Sequence, residues 1–286
     1  MKLYSPKTIN EIKEAYGFKL SKSLGQNFLT DKNIIDKIVD APDVTEDDLV
    51  IEIGPGIGVI TAEAAERAGK VIAIEIDKNL IPILSDTLGG FDNVEVINQD
   101  VLKTDINTLI RDNGYESAKI IGNLPYYITT PIIMYLLEGG VNAESITIMM
   151  QKEVADRIKA EPGGKTYGAI SVAVQYYCEV ETVTNVPKEV FVPAPKVDST
   201  VLKLNLRKTK PVELTNEKLF FRCIKAGFGQ RRKTLLNSLT GLGDVTKDEI
   251  RKCLEASEID EKRRAETLTI EEFAKLANEF DKISVR

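Results

Sequence analysis

The sequence predicts an α/β protein with a Rossmann-like open sheet, followed by a small all-helical C-terminal domain. Short apolar runs alternate with helical stretches of about ten residues through 49–150, which is typical of parallel strands joined by crossover helices. A glycine-rich turn directly follows the first of these runs. After residue 208 the apolar period is helical only. We therefore divide the 286 residues into domains at 1–207 and 208–286.

The elements of the first domain follow from apolar spacing and turn residues. Amphipathic helices are predicted near 8–20 and 31–40, before the alternating region begins. The predicted strands are 49–53, 71–76, 94–97, 119–121 and 146–150, and the predicted crossover helices include 60–67 and 79–87. Beyond Gly168, the β-rich runs 169–180 and 200–206 have Pro-rich turns between them. Consecutive strands with no helix between them predict antiparallel pairing at one sheet edge.

The second domain reads as four helices, at 216–228, 231–240, 247–257 and 270–280. The last two begin with capping boxes, because Thr246 is followed by Glu249 and Thr269 by Glu272. The preceding segment, 208–211, has the composition of a linker.

Composition excludes several kinds of chemistry. The chain has no histidine, which excludes Ser-His-Asp and Cys-His nucleophile activation and removes the commonest metal ligand. The three cysteines lie 45 and 30 residues apart, a spacing that fits neither a zinc site nor a disulfide framework. We expect no metal. No window predicts a membrane span and the first 25 residues lack a signal-peptide core, so a cytoplasmic location is expected.

Charge is distributed unevenly along the chain. The formal net charge is −6, and residues 41–118 carry 16 acids against 5 bases. Residues 203–240 carry ten bases against two acids, a local charge of +8. Since local density attracts phosphates, the total does not exclude a nucleic-acid partner.

A glycine turn and two later acids predict a nucleoside-containing cofactor. Gly54, Gly56 and Gly58 follow a strand and open a helix, where backbone amides can approach a ligand. Glu75 ends the next strand and can accept ribose hydroxyls, and Asp100 follows the third strand, where it can accept an adenine amine or cap a helix. The G-x-G-x-G spacing differs from the dinucleotide pattern, and Glu52 beside it suits a cation. S-adenosylmethionine is the favoured cofactor, with a dinucleotide or a merely tight turn as alternatives.

The Asn123-Leu124-Pro125-Tyr126 turn after the fourth strand predicts amine chemistry. Pro125 favours an extended backbone at Leu124, so the Asn123 amide oxygen and the Leu124 carbonyl can face one point. Two converging acceptors suit an exocyclic amine, and Tyr126 offers a ring on which a base can stack. The amine can lose its proton after methyl transfer, so no histidine is needed. The alternative is a simple turn with core tyrosines.

These motifs give the chain its resemblance to a known family. It resembles the ribosomal RNA adenine N6,N6-dimethyltransferases, specifically the bacterial small-subunit dimethyladenosine transferases, over nearly its whole length. The matching motifs are 23–29 (SLGQNFL), the glycine turn, 123–126, 151–155 (QKEVA), 167–168, 191–199 (FVPAPKVDS) and 231–235 (RRKTL), with no departure at a motif position.

The resemblance implies a methyltransferase domain and a helical RNA-binding domain. It implies that S-adenosylmethionine contacts the residues Asn27, Leu29, Gly54, Gly56, Glu75, Asp100 and Asn123. It also implies that the substrate is two adjacent adenosines in a hairpin loop near the 3′ end of small-subunit rRNA, either as RNA or in an assembling small subunit. A monomer that acts in ribosome biogenesis is expected.

The family resemblance also predicts which residues are catalytic and which hold RNA. Phe191 is placed against the flipped adenine opposite Tyr126, although without the family it reads equally well as core. The catalytic set is then Asn123, Leu124, Tyr126 and Phe191. The residues expected to hold RNA phosphates are Arg222, Lys225, Arg231, Arg232 and Lys233.

Other functions remain open from the sequence alone. A large-subunit rRNA adenine dimethyltransferase of the macrolide-resistance type has the same chemistry and another RNA. A non-catalytic RNA-binding assembly factor and a DNA adenine methyltransferase are the further alternatives.

Overall fold

The structure is a computed structural model that describes residues 2–18, 25–243 and 245–283. The strands are β1 (Phe28–Leu29), β2 (Leu49–Ile53), β3 (Lys70–Glu75), β4 (Val94–Asn98), β5 (Ala118–Asn123), β6 (Ala143–Gln151), β7 (Cys178–Val186), β8 (Phe191–Val192) and β9 (Ser199–Leu206). The α-helices are α1 (Pro6–Ala15), α2 (Lys32–Asp40), α3 (Val59–Ala65), α4 (Ile81–Leu88), α5 (Ile106–Asp112), α6 (Thr129–Glu138), α7 (Lys152–Ile158), α8 (Ala169–Tyr177), α9 (Glu217–Gly229), α10 (Leu235–Ser238), α11 (Lys247–Ala256) and α12 (Ile270–Lys282). Short 3₁₀ helices lie at Val101–Lys103, Lys188–Val190, Leu239–Leu242 and Ala265–Thr267.

Seven strands form one sheet in the order β4-β3-β2-β5-β6-β9-β7. The first five are parallel, and β9 runs antiparallel to β6 with Leu202 opposite Ile148. The predicted Rossmann-like fold is confirmed, and the predicted strand at 200–206 is antiparallel to its neighbour β6. The strand order reverses beside β2, between β3 and β5, and in open α/β sheets this is where ligands bind. The remaining pair, β1 and β8, forms a small antiparallel sheet of its own.

Helices pack against the sheet in two neighbouring apolar clusters, which both contact Val94 of β4. All five residues of β2 are buried, as expected of a central parallel strand. One apolar cluster contains residues of α2 and α3, including Ile38 and Ile60. A second contains residues of α1 and α4, including Ile12 and Leu84. Packing of amphipathic faces against the sheet therefore fixes the ends of the strands, where the candidate site lies.

One predicted element of the first domain is wrong, and another ends earlier than predicted. The run 169–180 is not a strand: α8 covers Ala169–Tyr177, and β7 starts only at Cys178. The β-branched residues of α8 lie in a helix because tertiary burial of most of its side chains outweighs their local preference. Ser171 also supports the start of α8: its hydroxyl accepts from the Gly168 N–H and donates to the Arg157 carbonyl. The first helix ends at Ala15, before Gly17 at φ +57°, and residues 19–20 lie outside the described part of the chain.

The C-terminal helices follow the prediction except at one start. Both capping boxes are confirmed, with Thr246 and Thr269 each accepting from the backbone N–H of the glutamate three residues later. The predicted helix 231–240 is shorter: α10 begins at Leu235, after Thr234 in extended conformation. The charged residues before Thr234 break the apolar period, so they form a turn.

The chain divides into two compact units. One comprises 1–155 with 180–206, and the other comprises 156–179 with 207–286. The predicted bounds differ from these units in the assignment of 156–179, since α8 packs against α9. Whether 1–207 and 208–286 act as separate domains stays a prediction. Across the described residues, the structure contains no helix with the length and apolar character needed to cross a membrane.

A buried ion pair provides a test of this packing. Lys119 of β5, 7% exposed, donates to the Asp48 carboxylate at 2.8 Å and to the Asp43 carbonyl at 2.7 Å. Burial alone would raise the pKa of Asp48, but hydrogen bonds from Lys119 and Thr45 outweigh it and hold that pKa below its usual value.

We expect Lys119→Met to destabilise the fold by about 2–4 kcal/mol, because it leaves Asp48 without its cation. Lys70→Met, which removes a more exposed pair with Glu95, should cost less than about 1 kcal/mol. Since the lowered pKa of Asp48 stabilises the fold only above its titration, the loss in Lys119→Met should shrink as pH falls through the acid range. Urea unfolding of the three proteins measures this; equal losses in the two variants contradict it.

Candidate active site

A cavity of about 200 Å³ lies at the carboxyl ends of the central parallel strands. It is lined by the turns after β2 and β5, the ends of β3 and β4, and residues around β1 and β8. The ten residues predicted for cofactor and catalysis all line this cavity: Asn27, Leu29, Gly54, Gly56, Glu75, Asp100, Asn123, Leu124, Tyr126 and Phe191. The strand order explains this convergence, because β2, β3 and β5 are neighbours.

The glycine turn has a backbone that other residues rarely adopt. Gly54, Gly56 and Gly58 have φ of +72°, +61° and +88°. A Cβ on Gly56 would lie 3.1 Å from the ring of Phe28, so β1 packs directly over this turn. The turn therefore offers bare backbone to the cavity.

Glu75 is a buried carboxylate that joins two loops. It is 5% exposed and accepts from the Asp77 backbone N–H at 2.8 Å and from the Gly56 N–H at 3.3 Å. Burial raises the pKa of Glu75 to about 6, although these backbone hydrogen bonds act in the opposite direction. Glu75 therefore holds the glycine turn against the end of β3.

Glu52 provides a second buried acid on the cavity lining. It is 1% exposed, and its Oε2 accepts from the Thr61 hydroxyl. Its Oε1 is buried and has no hydrogen-bond partner among the described residues. Burial raises the pKa of Glu52 to about 8, with a smaller contribution from the nearby charge of Glu75. An acceptor in this condition suits a cationic donor, since a buried unpaired oxygen is costly.

Asp100 caps the short helix that follows β4, which is one of the two roles predicted for it. Its Oδ1 accepts from the Leu102 N–H at 3.0 Å and starts the 3₁₀ helix Val101–Lys103. The side chain is 30% exposed and lines the cavity, so the cap leaves it accessible to a ligand.

Asn123 is the last residue of β5, and its side chain is oriented by Asn27, the residue before β1. Its Nδ2 donates to the Asn27 carbonyl at 3.3 Å. Because that bond uses the nitrogen, the assigned amide orientation leaves Oδ1 as an acceptor. Leu124 is 1% exposed, so its side chain anchors the turn in the core.

The two aromatic residues differ in their surroundings. The Tyr126 hydroxyl hydrogen-bonds the Ser199 hydroxyl at 2.8 Å, which fixes the direction of a half-buried ring. Phe191 pairs with Leu29 in the small sheet and is only 3% exposed within an apolar cluster. Phe191 thus belongs to the core while it also lines the cavity.

Several residues of the cavity were missed by the sequence reasoning. Ile76 follows Glu75 directly, lines the cavity and is 55% exposed. An apolar residue immediately after the strand-ending acid was the available signal. Gln26 donates to Asp77 at 2.8 Å, a contact between distant segments that no local pattern indicates. Ser23 and Leu24 of the motif at 23–29 lie outside the described residues.

The basic residues predicted to hold RNA lie in the second unit and fall into two groups. Lys225, Arg231, Arg232 and Lys233 are exposed, whereas Arg222 is half-buried. Arg222 donates to the Leu242 carbonyl at 2.8 Å, and Arg231 donates to the carbonyls of Lys165 and Tyr167. Arg222 and Lys225 also line a cavity of about 440 Å³. Both arginines therefore have structural contacts beside any role in binding.

Known proteins match this chain over nearly its whole length. A protein named Ribosomal RNA small subunit methyltransferase A from Clostridioides difficile (strain 630) is 56% identical over 279 residues, which is 97% of this chain and 96% of that protein. A protein of the same name from Bacillus pumilus (strain SAFR-032) is 52% identical over 283 residues, 97% of each chain.

Two solved structures of methyltransferases also superpose on most of this chain. A dimethyladenosine transferase from Plasmodium falciparum superposes with a TM-score of 0.76 at 28% identity, covering 89% of this chain and 97% of that one. The 23S rRNA methyltransferase ErmE superposes with a TM-score of 0.67 at 27% identity, covering 89% and 99%. Residues 17–282 match the family described as Ribosomal RNA adenine dimethylase. This chain belongs to the ribosomal RNA adenine dimethylase family.

Proposed function

We propose that this chain uses S-adenosylmethionine to dimethylate the N6 amines of two adjacent adenosines in a hairpin loop near the 3′ end of small-subunit rRNA. The observation that carries the proposal is the meeting of Asn123, Leu124 and Tyr126 with the glycine turn and Glu75 in one cavity. A methyl donor and an acceptor amine need adjoining sites. In this cavity the glycine turn and Glu75, which suit a nucleoside, lie beside the turn 123–126, which suits an amine.

The residues present fit the proposed cofactor. The bare backbone at Gly54 and Gly56 admits close approach, and Glu75 is an acceptor for ribose hydroxyls. Asp100 is an acceptor for the adenine amine. The orphaned Glu52 Oε1 is an acceptor on the same lining for a cationic group such as the α-ammonium. When bound, this cofactor supplies a methyl group already activated by a positively charged sulfur.

The chain's own residues then handle the adenine. Tyr126, with its ring fixed by Ser199, stacks on the base, and Phe191 limits the pocket from the β8 side. The Asn123 Oδ1 and the Leu124 carbonyl accept the two N6 hydrogens, which draws the nitrogen lone pair out of conjugation and stabilises the positive charge that develops on it. The proton leaves after transfer, so no side-chain base is required. A loop adenosine is extruded at lower cost than one in a duplex.

The small-subunit substrate is favoured over the large-subunit one by degree of similarity. Proteins named for the small subunit are 52–56% identical to this chain, whereas the 23S rRNA methyltransferase is 27% identical. The deciding experiment is incubation with undermethylated small subunits and a labelled cofactor, followed by mapping of the modified base. A label at any base other than the two adjacent adenosines, or no label at all, overturns the proposal.

We expect Asn123→Ala to lower kcat by about 10²-fold, because it removes one positioned acceptor from the developing charge. Binding of S-adenosylmethionine should change less than about fivefold, since one neutral hydrogen bond contributes about 1 kcal/mol. Calorimetry beside a tritiated-methyl assay separates the two quantities. Asn33→Ala, at an exposed position on α2, is the control, and full turnover by Asn123→Ala excludes the assigned role.

Cofactor affinity should depend on pH through Glu75. Its pKa is raised to about 6 by burial, and only the carboxylate accepts both ribose hydroxyls. We therefore expect binding of S-adenosylhomocysteine to be about tenfold weaker at pH 5 than at pH 7, following the fraction of Glu75 ionised. Glu75→Gln should bind weakly at both pH values, and any change that remains between them should be the part due to Glu52, whose pKa burial raises to about 8. A pH dependence that persists unchanged in this variant assigns it to another group.

The affinity for RNA should fall with rising salt concentration because exposed Lys and Arg side chains of the second unit contact phosphates. Arg232→Gln with Lys233→Gln should reduce the slope of log affinity against log salt by about 1.4–1.8, which corresponds to two phosphate contacts. Lys252→Gln with Lys262→Gln removes the same charge from exposed positions of the same unit and should leave the slope nearly unchanged. Titration of a fluorescent rRNA hairpin from 50 to 300 mM salt gives both slopes. Equal slopes in the two pairs would show that only total charge matters.

A further inference from the structure

The segment Gly25–Leu29 lines the cavity, yet only its last two residues belong to a strand. Phe28 and Leu29 pair with β8. The preceding three residues depend on other contacts: the Asn27 Nδ2 donates to the Gly25 carbonyl at 2.9 Å, and a Cβ on Gly25 would lie 3.3 Å from Pro125. This segment therefore needs a tether outside the sheet to hold its place.

Asp77 supplies that tether from the loop after β3. It is 6% exposed, and its Oδ2 accepts from the Gln26 Nε2 at 2.8 Å. Its Oδ1 accepts from the backbone N–H and the side-chain Nδ2 of Asn79, at 3.0 and 2.8 Å. Its own backbone N–H donates to Glu75. Both oxygens of the buried carboxylate therefore have hydrogen-bond partners, and one of these partners is a side chain from the segment 25–29.

The segment 25–29 also contacts Asn123 at the end of β5. The residue after Gln26 presents its carbonyl to the Asn123 Nδ2. A continuous chain of bonds therefore runs from the ribose acceptor Glu75 through Asp77 and Gln26 to the amide of Asn123. Movement of Gln26 would shift the Asn27 carbonyl and release the orientation of that amide.

We propose, on the basis of the function proposed above, that Gln26 is a positioning residue whose hydrogen bond to Asp77 couples the cofactor-binding end of β3 to the orientation of the Asn123 amide. Gln26 contacts neither reacting atom in this role. It keeps the Asn27 carbonyl in place, so that the Asn123 nitrogen stays engaged and its oxygen faces the substrate amine.

Isosteric substitutions test this link with little change of shape. Gln26→Glu places a second carboxylate against the buried Asp77 and converts the hydrogen bond into repulsion. Adding Asp77→Asn restores the hydrogen bond with the donor and acceptor exchanged. The new Nδ2 at position 77 donates to the carboxylate at position 26, while Oδ1 still accepts from Asn79. The double variant has the same net charge as the wild type, so it is the matched control.

Three measurements are made on the full-length protein. In the ligand-free protein, Gln26→Glu should speed hydrogen exchange of the amides of residues 26–29 by about tenfold or more. It should weaken S-adenosylhomocysteine binding by about fivefold, and it should lower kcat at saturating cofactor by more than KM for RNA changes. The double variant should return all three values to within about twofold of the wild type.

The outcome is decided by the pair of variants. Wild-type exchange and affinity in Gln26→Glu, or failure of Asp77→Asn to restore them, overturns the proposal. If Gln26→Glu does not fold, Gln26→Met removes the hydrogen bond without repulsion and should show smaller effects of the same sign; wild-type exchange in that variant overturns the proposal equally. The exchange measurement uses no RNA, so a wild-type chain that fails to methylate rRNA would contradict only the proposed function.

Discussion

Parallel pairing of β2 with both β3 and β5 is the constraint on which the candidate site depends. It aligns three strand ends at one edge, so that Gly54, Glu75 and Asn123 meet although they are separated widely in sequence. A one-residue slip would exchange the two faces of β2 and take the Glu52 carboxylate away from the Thr61 hydroxyl. The geometry of the cavity is thus a consequence of packing in the sheet.

The cavity also combines two buried acids with a lining that holds no basic side chain among the described residues. Glu52 and Glu75 both have raised pKa values because burial disfavours their charged forms, and no Lys or Arg lines the cavity among the described residues. This arrangement favours a ligand that brings its own positive charge and its own hydrogen-bond donors. It is poorly suited to a pyrophosphate, which agrees with the departure of the glycine spacing from the dinucleotide pattern.

The sequence predicted most of the fold because its central strands are strongly apolar and punctuated by glycine. Where it failed, tertiary burial decided: Ala169–Tyr177 has strand-like composition, yet it is a helix surrounded by other elements. The residues of the site could be predicted where a motif carries them, as at Gly54 and Asn123. Contacts between distant segments, such as Gln26 with Asp77 or Tyr126 with Ser199, could not be predicted, because only the closed fold brings them together.

Ile76 is an exposed apolar residue on the lining of the cavity. Its side chain is 55% exposed beside Glu75, an unusual amount of open apolar surface at a strand end. A purine seated between Glu75 and Asp100 would cover it, and removal of apolar surface from water lowers the heat capacity. Association should therefore become more exothermic as the temperature rises, and the hydrophobic contribution of this one isoleucine would be separable from that of the acids around it.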